Sequence, residues 1–316
     1  VLKNCAADLK AVKDDLPWTY SDPVFVSVRA MKGAAIALLM HINMWLTSFD
    51  GGNSNTYYTE VDALGDEVQN QNGGAYALLP LDRSGEIFKG RSKEGLFEIP
   101  QNANYGETFG WSTFFDLVAY SAPEDGIVSG HAKSQIAYDP KFMEALYPKG
   151  QPDGRATTWF DPNPIYLYSG NENFRMRKFL VSLNKGSLDI GAFDASFTVF
   201  RYSDVFLLRA EALAGLGQDA KARQIVNIVR ARAGAPDLTE SGDELKYQLF
   251  LERSRELLGE GHYWYDAVRT RKIIDNNYKF GYHCTVDQYK AGAWTWPIDR
   301  AALINNPKIV LNTYWQ

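Results

Sequence analysis

The chain has 316 residues, 45% hydrophobic and 22% charged, with a net charge of −5. That is a globular composition, and the length allows one large or two ordinary domains around a sizeable core. No run of Lys or Arg supplies the basic stripe that phosphate binding needs, which argues against a nucleic-acid partner, and no stretch of ~18 apolar residues is present to span a bilayer. Aromatic residues make up 14% of the chain, more than a routine core requires, and a large aromatic interior is the first reading of them. Two cysteines, Cys5 and Cys284, make neither a disulfide framework nor a metal cluster.

In chain order, Leu9, Val12 and Leu16 fall at helical spacing before Pro17. Residues 27–49 then form the first strong helical pattern, with Val28, Met31, Ala35, Leu38, Leu39, Ile42, Trp45 and Leu46 on a broad apolar face. Gly33, Ala34 and Ala35 suit close packing against another helix. Residues 50–75 hold many Gly, Asn and Asp and read as loop, with Asp50, Asn53 and Asn55 serving turns rather than calcium. A short helix is predicted around 81–90, and Leu96, Phe97 and Ile99 predict a brief extended piece before Pro100. From 101 to 200 periodicity fails, apart from a short helix near 139–147 and short strands near 176–183 and 196–202.

Periodicity returns in 201–272. Val205, Leu208, Ala212 and Leu216 form one stripe of a helix over 203–216 that Gly215 and Gly217 end. Asp219 is placed to cap a second helix, with Ala222, Ile225, Val226 and Val229 buried and Gly234 as its stop. Ser241 and Glu244 have capping-box spacing for a third, which carries Leu245, Leu249, Leu257 and Leu258. Two helices in about 34 residues around a Gly-containing turn is the tetratricopeptide format; small residues sit at Ala210 and Ala222, while the consensus Trp and Tyr positions hold other residues. After 272 the pattern predicts a short strand or loop, one helical turn and an extended tail.

Four ordered segments carry a resemblance: RYSDVFLLRAEAL, VNIVRARAG, LERSRELLGEGHYWYDAVRTRK and WTWPIDRAALINNPK. Together they resemble the C-terminal portion of the SusD/RagB family of Bacteroidetes outer-membrane nutrient-binding lipoproteins. The resemblance implies a mainly α fold of tetratricopeptide-like helical repeats, with a loop-rich irregular region and a few short strands. It implies one domain over 1–316, with 1–49 and 201–275 as scaffold, 50–200 as the variable ligand region and 276–316 as a tail. It implies non-catalytic binding of an oligosaccharide or glycan at the cell surface, on the outer face of the outer membrane, for nutrient uptake. The partner would be a SusC-like TonB-dependent barrel transporter. The family's lipid cysteine and first helical repeats have no counterpart in this sequence: Lys3 and Asn4 precede Cys5 where small residues are required, so Cys5 reads as a helix-face residue and the chain as part of a longer, lipid-anchored protein. The alternative function is a tetratricopeptide-type adaptor for a protein segment.

No enzyme motif stands against this reading: His41, His131, His262 and His283 are scattered without zinc spacing, and neither a G-x-S-x-G elbow nor a P-loop is present. No cofactor and no metal are expected. Glu252, Glu256 and Glu260 share a helix face, where a glycosidase would use two of them as acid and nucleophile. The favoured reading pairs them with Arg201, Arg209, Arg253, Arg255 and Arg269, which would keep them ionised. A glycan site needs flat aromatic faces among amides on loops. Residues 101–116 supply the densest such set, and Tyr105, Trp111, Phe115, Asn102 and Asn104 are the candidate ligand-binding residues, with Gln101, Thr108 and Phe114 beside them. A second candidate segment contains Trp159, Tyr166 and Tyr168.

Overall fold

The first long apolar stripe becomes an 18-residue helix in the computed structural model, which describes residues 1–101, 136–179, 196–306 and 308–316. Helix α1 spans Leu2–Val12 and α2 spans Lys32–Phe49. Helix α2 begins later than predicted because Pro23–Phe25 takes a 3-10 turn capped by Asp22, and Ser27 lies at φ 62°. Ser27 is thus outside the helical region and Met31, at φ −124° and ψ 156°, is still extended, so the helix starts only at Lys32. Gly33 meets not another helix but the ring of Tyr76: a Cβ there would stand 2.6 Å from it.

Residues 54–71, expected as loop, are the helix α3 (Ser54–Gln71). Turn formers crowd both ends of this segment, and its Asn and Gln content hides a short stripe of Val61, Leu64 and Val68, all buried. Asp50 keeps its turn role, accepting from Tyr57 and from Asn53 Nδ2 at 3.2 Å.

The chain divides into two units, Val1–Gly261 and His262–Gln316. In the first, α4 (Gly85–Lys89) leads to β1 (Gly95–Ile99), and α5 (Pro140–Leu146), α6 (Arg155–Thr158) and α7 (Pro164–Leu167) are short helices begun by Asp, Gly or Asn. Strand β2 (Phe197–Arg201) pairs antiparallel with β1, Glu98 facing Thr198 and Gly95 facing Arg201. Met176, where a strand was predicted, makes an isolated bridge to Phe160. Residues 180–183 lie outside the described residues.

Helix α8 (Tyr202–Gly215) follows β2 without a break, then come α9 (Asp219–Arg232) and α10 (Gly242–Glu256). The predicted stripe of α8 is buried at Val205, Leu208 and Ala212, but so are Ser203, Asp204 and Phe206 on its other faces. Helices α3, α9 and α10 all pack on it, and a helix enclosed on every side has no solvent face to mark in sequence. The α3–α8 crossing is close at Gly215, where a Cβ would come within 2.6 Å of Tyr58. Arg209 crosses it as well, to Asp62 and Asp66 at 2.8 Å each.

Two caps differ from expectation. Asp219 begins α9 rather than preceding it, and its carboxylate accepts from the N–H of Gly242 at 2.7 Å, at the start of α10. Ser241 makes no side-chain cap, and the Glu244 carboxylate accepts from Gln248 at 2.8 Å instead of returning to the N-cap. Gly234, at φ 65°, stops α9 as predicted.

The second unit contains α11 (Tyr263–Arg269), α12 (Val286–Lys290) and the single helical turn α13 (Arg300–Leu303). A capping box between Thr285 and Gln288 starts α12. Tyr263 and Tyr278 share a hydroxyl hydrogen bond of 2.8 Å, and Tyr289 donates to the carbonyl of Val268 at 3.2 Å. Both cysteines are free thiols, Cys5 exposed on α1. Among the described residues no helix is long and apolar enough to cross a membrane.

Candidate functional site

Glu252 and Glu256 on α10, with Glu260 just beyond it, are buried. Glu252 accepts from Arg155 at 2.8 Å, from Arg230 at 2.5 Å and from Arg255. Glu256 accepts from Arg155 at 2.8 Å, from Arg201 at 2.6 Å and from Arg232. Glu260 closes the ladder on Arg201 at 2.7 Å and Lys178 at 2.5 Å. Arg201 and Arg232 both also hold Glu94, each at 2.9 Å.

Arg201 and Arg255 were expected here; Arg209, Arg253 and Arg269 serve other carboxylates. Arg253 pairs with Asp204 at 2.7 Å, and Arg269 with Asp266 on its own helix. Their places are taken by Arg230 and Arg232, from the last turn of α9, and by Arg155 and Lys178. The α9 arginines were findable, since they end a helix that must pass beside α10. Nothing periodic marks Arg155 or Lys178, because both come from the irregular segment.

Burial alone would raise the carboxyl of Glu252, but the guanidiniums of Arg155, Arg255 and Arg230 outweigh it and hold the group at about 2. Burial opposes ionisation of Glu256 too, and Arg232, Arg201 and Arg155 hold it well below the usual range. Carboxylates so held have no proton to give near neutrality, which is the opposite of a general acid's requirement. Burial lowers the Lys178 ammonium to about 8 against the opposing charge of Glu260. The ladder is a weld between helices and loops. His41, a further titratable group in this unit, bonds Asp204 at 2.6 Å and stacks on Phe200.

The candidate ligand residues Asn102, Asn104, Tyr105, Trp111 and Phe115 lie outside the described residues, as do Thr108 and Phe114. Gln101, where their segment begins, is buried. In the second candidate segment Trp159 is core: it is 1% exposed and its indole N–H donates to Ser84 at 3.1 Å. Its carbonyl accepts from the N–H of Arg177 at 2.7 Å and the Lys178 ammonium lies 4.3 Å from its ring, so this buried indole has no free face for a ligand. Tyr166 is half-buried beneath the guanidinium of Arg175 at 3.6 Å. Tyr168 alone of the three lines a cleft of about 470 Å³, with Tyr147, Pro148, Lys149, Gln151 and Pro164. Its hydroxyl donates to the Tyr147 carbonyl at 2.5 Å, which fixes the ring.

Comparison with known proteins gives a family and a set of structures. The SusD family model matches residues 147–315. The chain is 34% identical over 152 residues to the SusD-like protein P38 of Formosa agariphila, a match that takes in 45% of this chain and 28% of that protein's length. It superposes on a SusD homolog of Bacteroides thetaiotaomicron with a TM-score of 0.88 at 42% identity, over 100% of this chain and 68% of that one. Surface glycan-binding protein A of Bacteroides uniformis shares the fold, with a TM-score of 0.69 at 18% identity, over 99% of this chain and 68% of that one.

Proposed function

The chain belongs to the SusD family, and on that premise we propose that it binds oligosaccharide at the cell surface without turning it over. The observation that carries this reading is the match to a SusD homolog along the whole chain at 42% identity. The buried ladder agrees with it. The row of acids on and just beyond α10 that a glycosidase could use is locked in ion pairs and removed from solvent.

In the proposed mechanism the helical stack is a rigid frame, and ligand is met by the irregular segment that leaves it after β1. Tyr105, Trp111 and Phe115 offer flat faces to the C–H faces of pyranose rings, and Asn102 and Asn104 bond hydroxyls. Such contacts are weak enough to release sugar to a SusC-like TonB-dependent barrel transporter, with a lipid anchor holding the intact protein at the outer membrane. The adaptor reading loses its main support because α8, which would line a concave helical surface, is enclosed on every side.

Affinity electrophoresis against a panel of polysaccharides tests the proposal. Retardation by at least one neutral glycan is expected, lost in Trp111→Ala with helical content unchanged. Binding that survives both Trp111→Ala and Tyr105→Ala overturns the site, and failure to bind any glycan overturns the function.

A further inference from the structure

The cleft beside Tyr168 lies outside the segment to which ligand binding is assigned above, and it has the parts of a sugar site of its own. Its volume of about 470 Å³ falls in the range of ~300–1,000 Å³ usual for small-ligand pockets. The platform is built in advance. Tyr168 is held by its hydroxyl on the Tyr147 carbonyl, and Tyr147 is itself buried, donating to the Arg255 carbonyl at 3.1 Å. Pro148 and Pro164 add rigid apolar walls, and the exposed Gln151 offers an amide at the rim.

Charge decides the kind of sugar. Two charged side chains line the cleft, Asp153 and Lys149. Asp153 is already neutralised, gripped by Arg155 at 2.9 and 2.8 Å with Arg255 at 3.8 Å. Lys149 is exposed, rests 5.0 Å from the Tyr168 ring centroid and, among the described residues, pairs loosely with Glu144 at 3.6 Å on the open surface. Exposed pairs of that kind hold weakly. The ammonium therefore covers the aromatic face in the free protein and must give it up to a stacking ring. A neutral sugar offers nothing in exchange; a sugar with an anionic substituent takes the ammonium as its partner.

The geometry points to a second carbohydrate subsite in this cleft, taking an anionic pyranose with its ring on Tyr168 and its carboxylate or sulfate on Lys149. This rests on the glycan-binding reading above and adds to it a class of ligand. Calorimetric titration of the full chain with trigalacturonate, a sulfated carrageenan tetrasaccharide and cellotetraose tests it, the first two telling carboxylate from sulfate. Lys149→Met is expected to weaken the anionic probe about fivefold, the worth of a well-placed exposed ion pair, and not to weaken cellotetraose, which has no charge for the ammonium to meet. Tyr168→Ala removes the platform and abolishes the anionic site, while Tyr168→Phe, which keeps the ring and loses only its anchor, falls between. An anionic probe bound equally by the parent and Lys149→Met overturns the assignment. So does a parent that binds cellotetraose through Trp111 and neither anionic probe, and in that case the glycan-binding reading stands. A parent that binds none of the three overturns this assignment, and the polysaccharide panel then decides the broader reading.

Discussion

Strand β1 turns a carboxylate inward. Glu98 is 1% exposed on the same face as the buried Leu96. One of its oxygens accepts from the N–H of Arg91 at 2.7 Å, and the other has no hydrogen-bond partner. Among the described residues no ion pair reaches it, although Arg91 lends some charge. Burial pushes this carboxyl from an ordinary 4.5 up to about 7, against the opposing pull of Arg91 and the Ser196 hydroxyl. The folded state thus favours the protonated form, so the contribution to stability is fully present below pH 4.5 and is lost as pH rises through 7. A rise of that size corresponds to about 3 kcal/mol of folding free energy. Glu98→Gln keeps the volume and the acceptor for Arg91 but cannot ionise. Urea unfolding of parent and variant at pH 5 and pH 8 measures the effect as a difference, in which shared titrating groups such as Lys178 cancel. The variant's advantage over the parent is expected to grow by about 2.5 kcal/mol between the two pH values. A difference that stays constant with pH means Glu98 ionises normally, and the reasoning fails.

Two further perturbations test the frame. Glu256→Gln leaves Arg155, Arg201 and Arg232 facing a neutral amide in a buried site and should cost about 3–5 kcal/mol in equilibrium unfolding; a loss under about 1 kcal/mol would mean that water screens the ladder. Gly33→Ala improves helix propensity yet drives a methyl to 2.6 Å from the buried Tyr76 ring, whose hydroxyl is tied to the Trp18 carbonyl at 2.7 Å. Overpacking should win by about 1–3 kcal/mol, and a thermal midpoint equal to or above the parent's would show that Tyr76 can move aside.

Helices α8, α9 and α10 were legible because each has a stop and an apolar repeat that survive tertiary packing. Helix α3 was not, since its composition signals turns and its buried stripe is only three residues long. Within the ladder, carboxylates four apart on one helix announce themselves, whereas their partners arrive from wherever the chain passes. Spacing named two of those partners; Arg155 and Lys178 sit where no period exists to give their direction. The aromatic count proved ambiguous residue by residue. Trp159 went to the core and Tyr168 to a cleft, a difference in burial that the position of neither in the sequence marks. At β1 the apolar letters Phe97 and Ile99 drew attention, but the strand's alternation puts Leu96 and Glu98 inside.

The ribbon that carries this face is tied to the scaffold at its base. Glu94 stands immediately before β1 and Arg201 at the end of β2, so the ribbon's register brings together Gly95 and Arg201 at its base. The Glu94–Arg201 pair is then joined through Glu256 and Arg232 to α10 and α9. Breaking any one pair strands charges in a place without water, a cost several times that of a surface pair. The base of the ribbon is therefore fixed by the scaffold, not by whatever sequence follows Ile99 or precedes Phe197. A substitution within 101–116, the segment proposed above to meet ligand, would leave in place the point where the ribbon joins the scaffold, and the most patterned stretch of the chain carries none of the ligand contacts proposed for it.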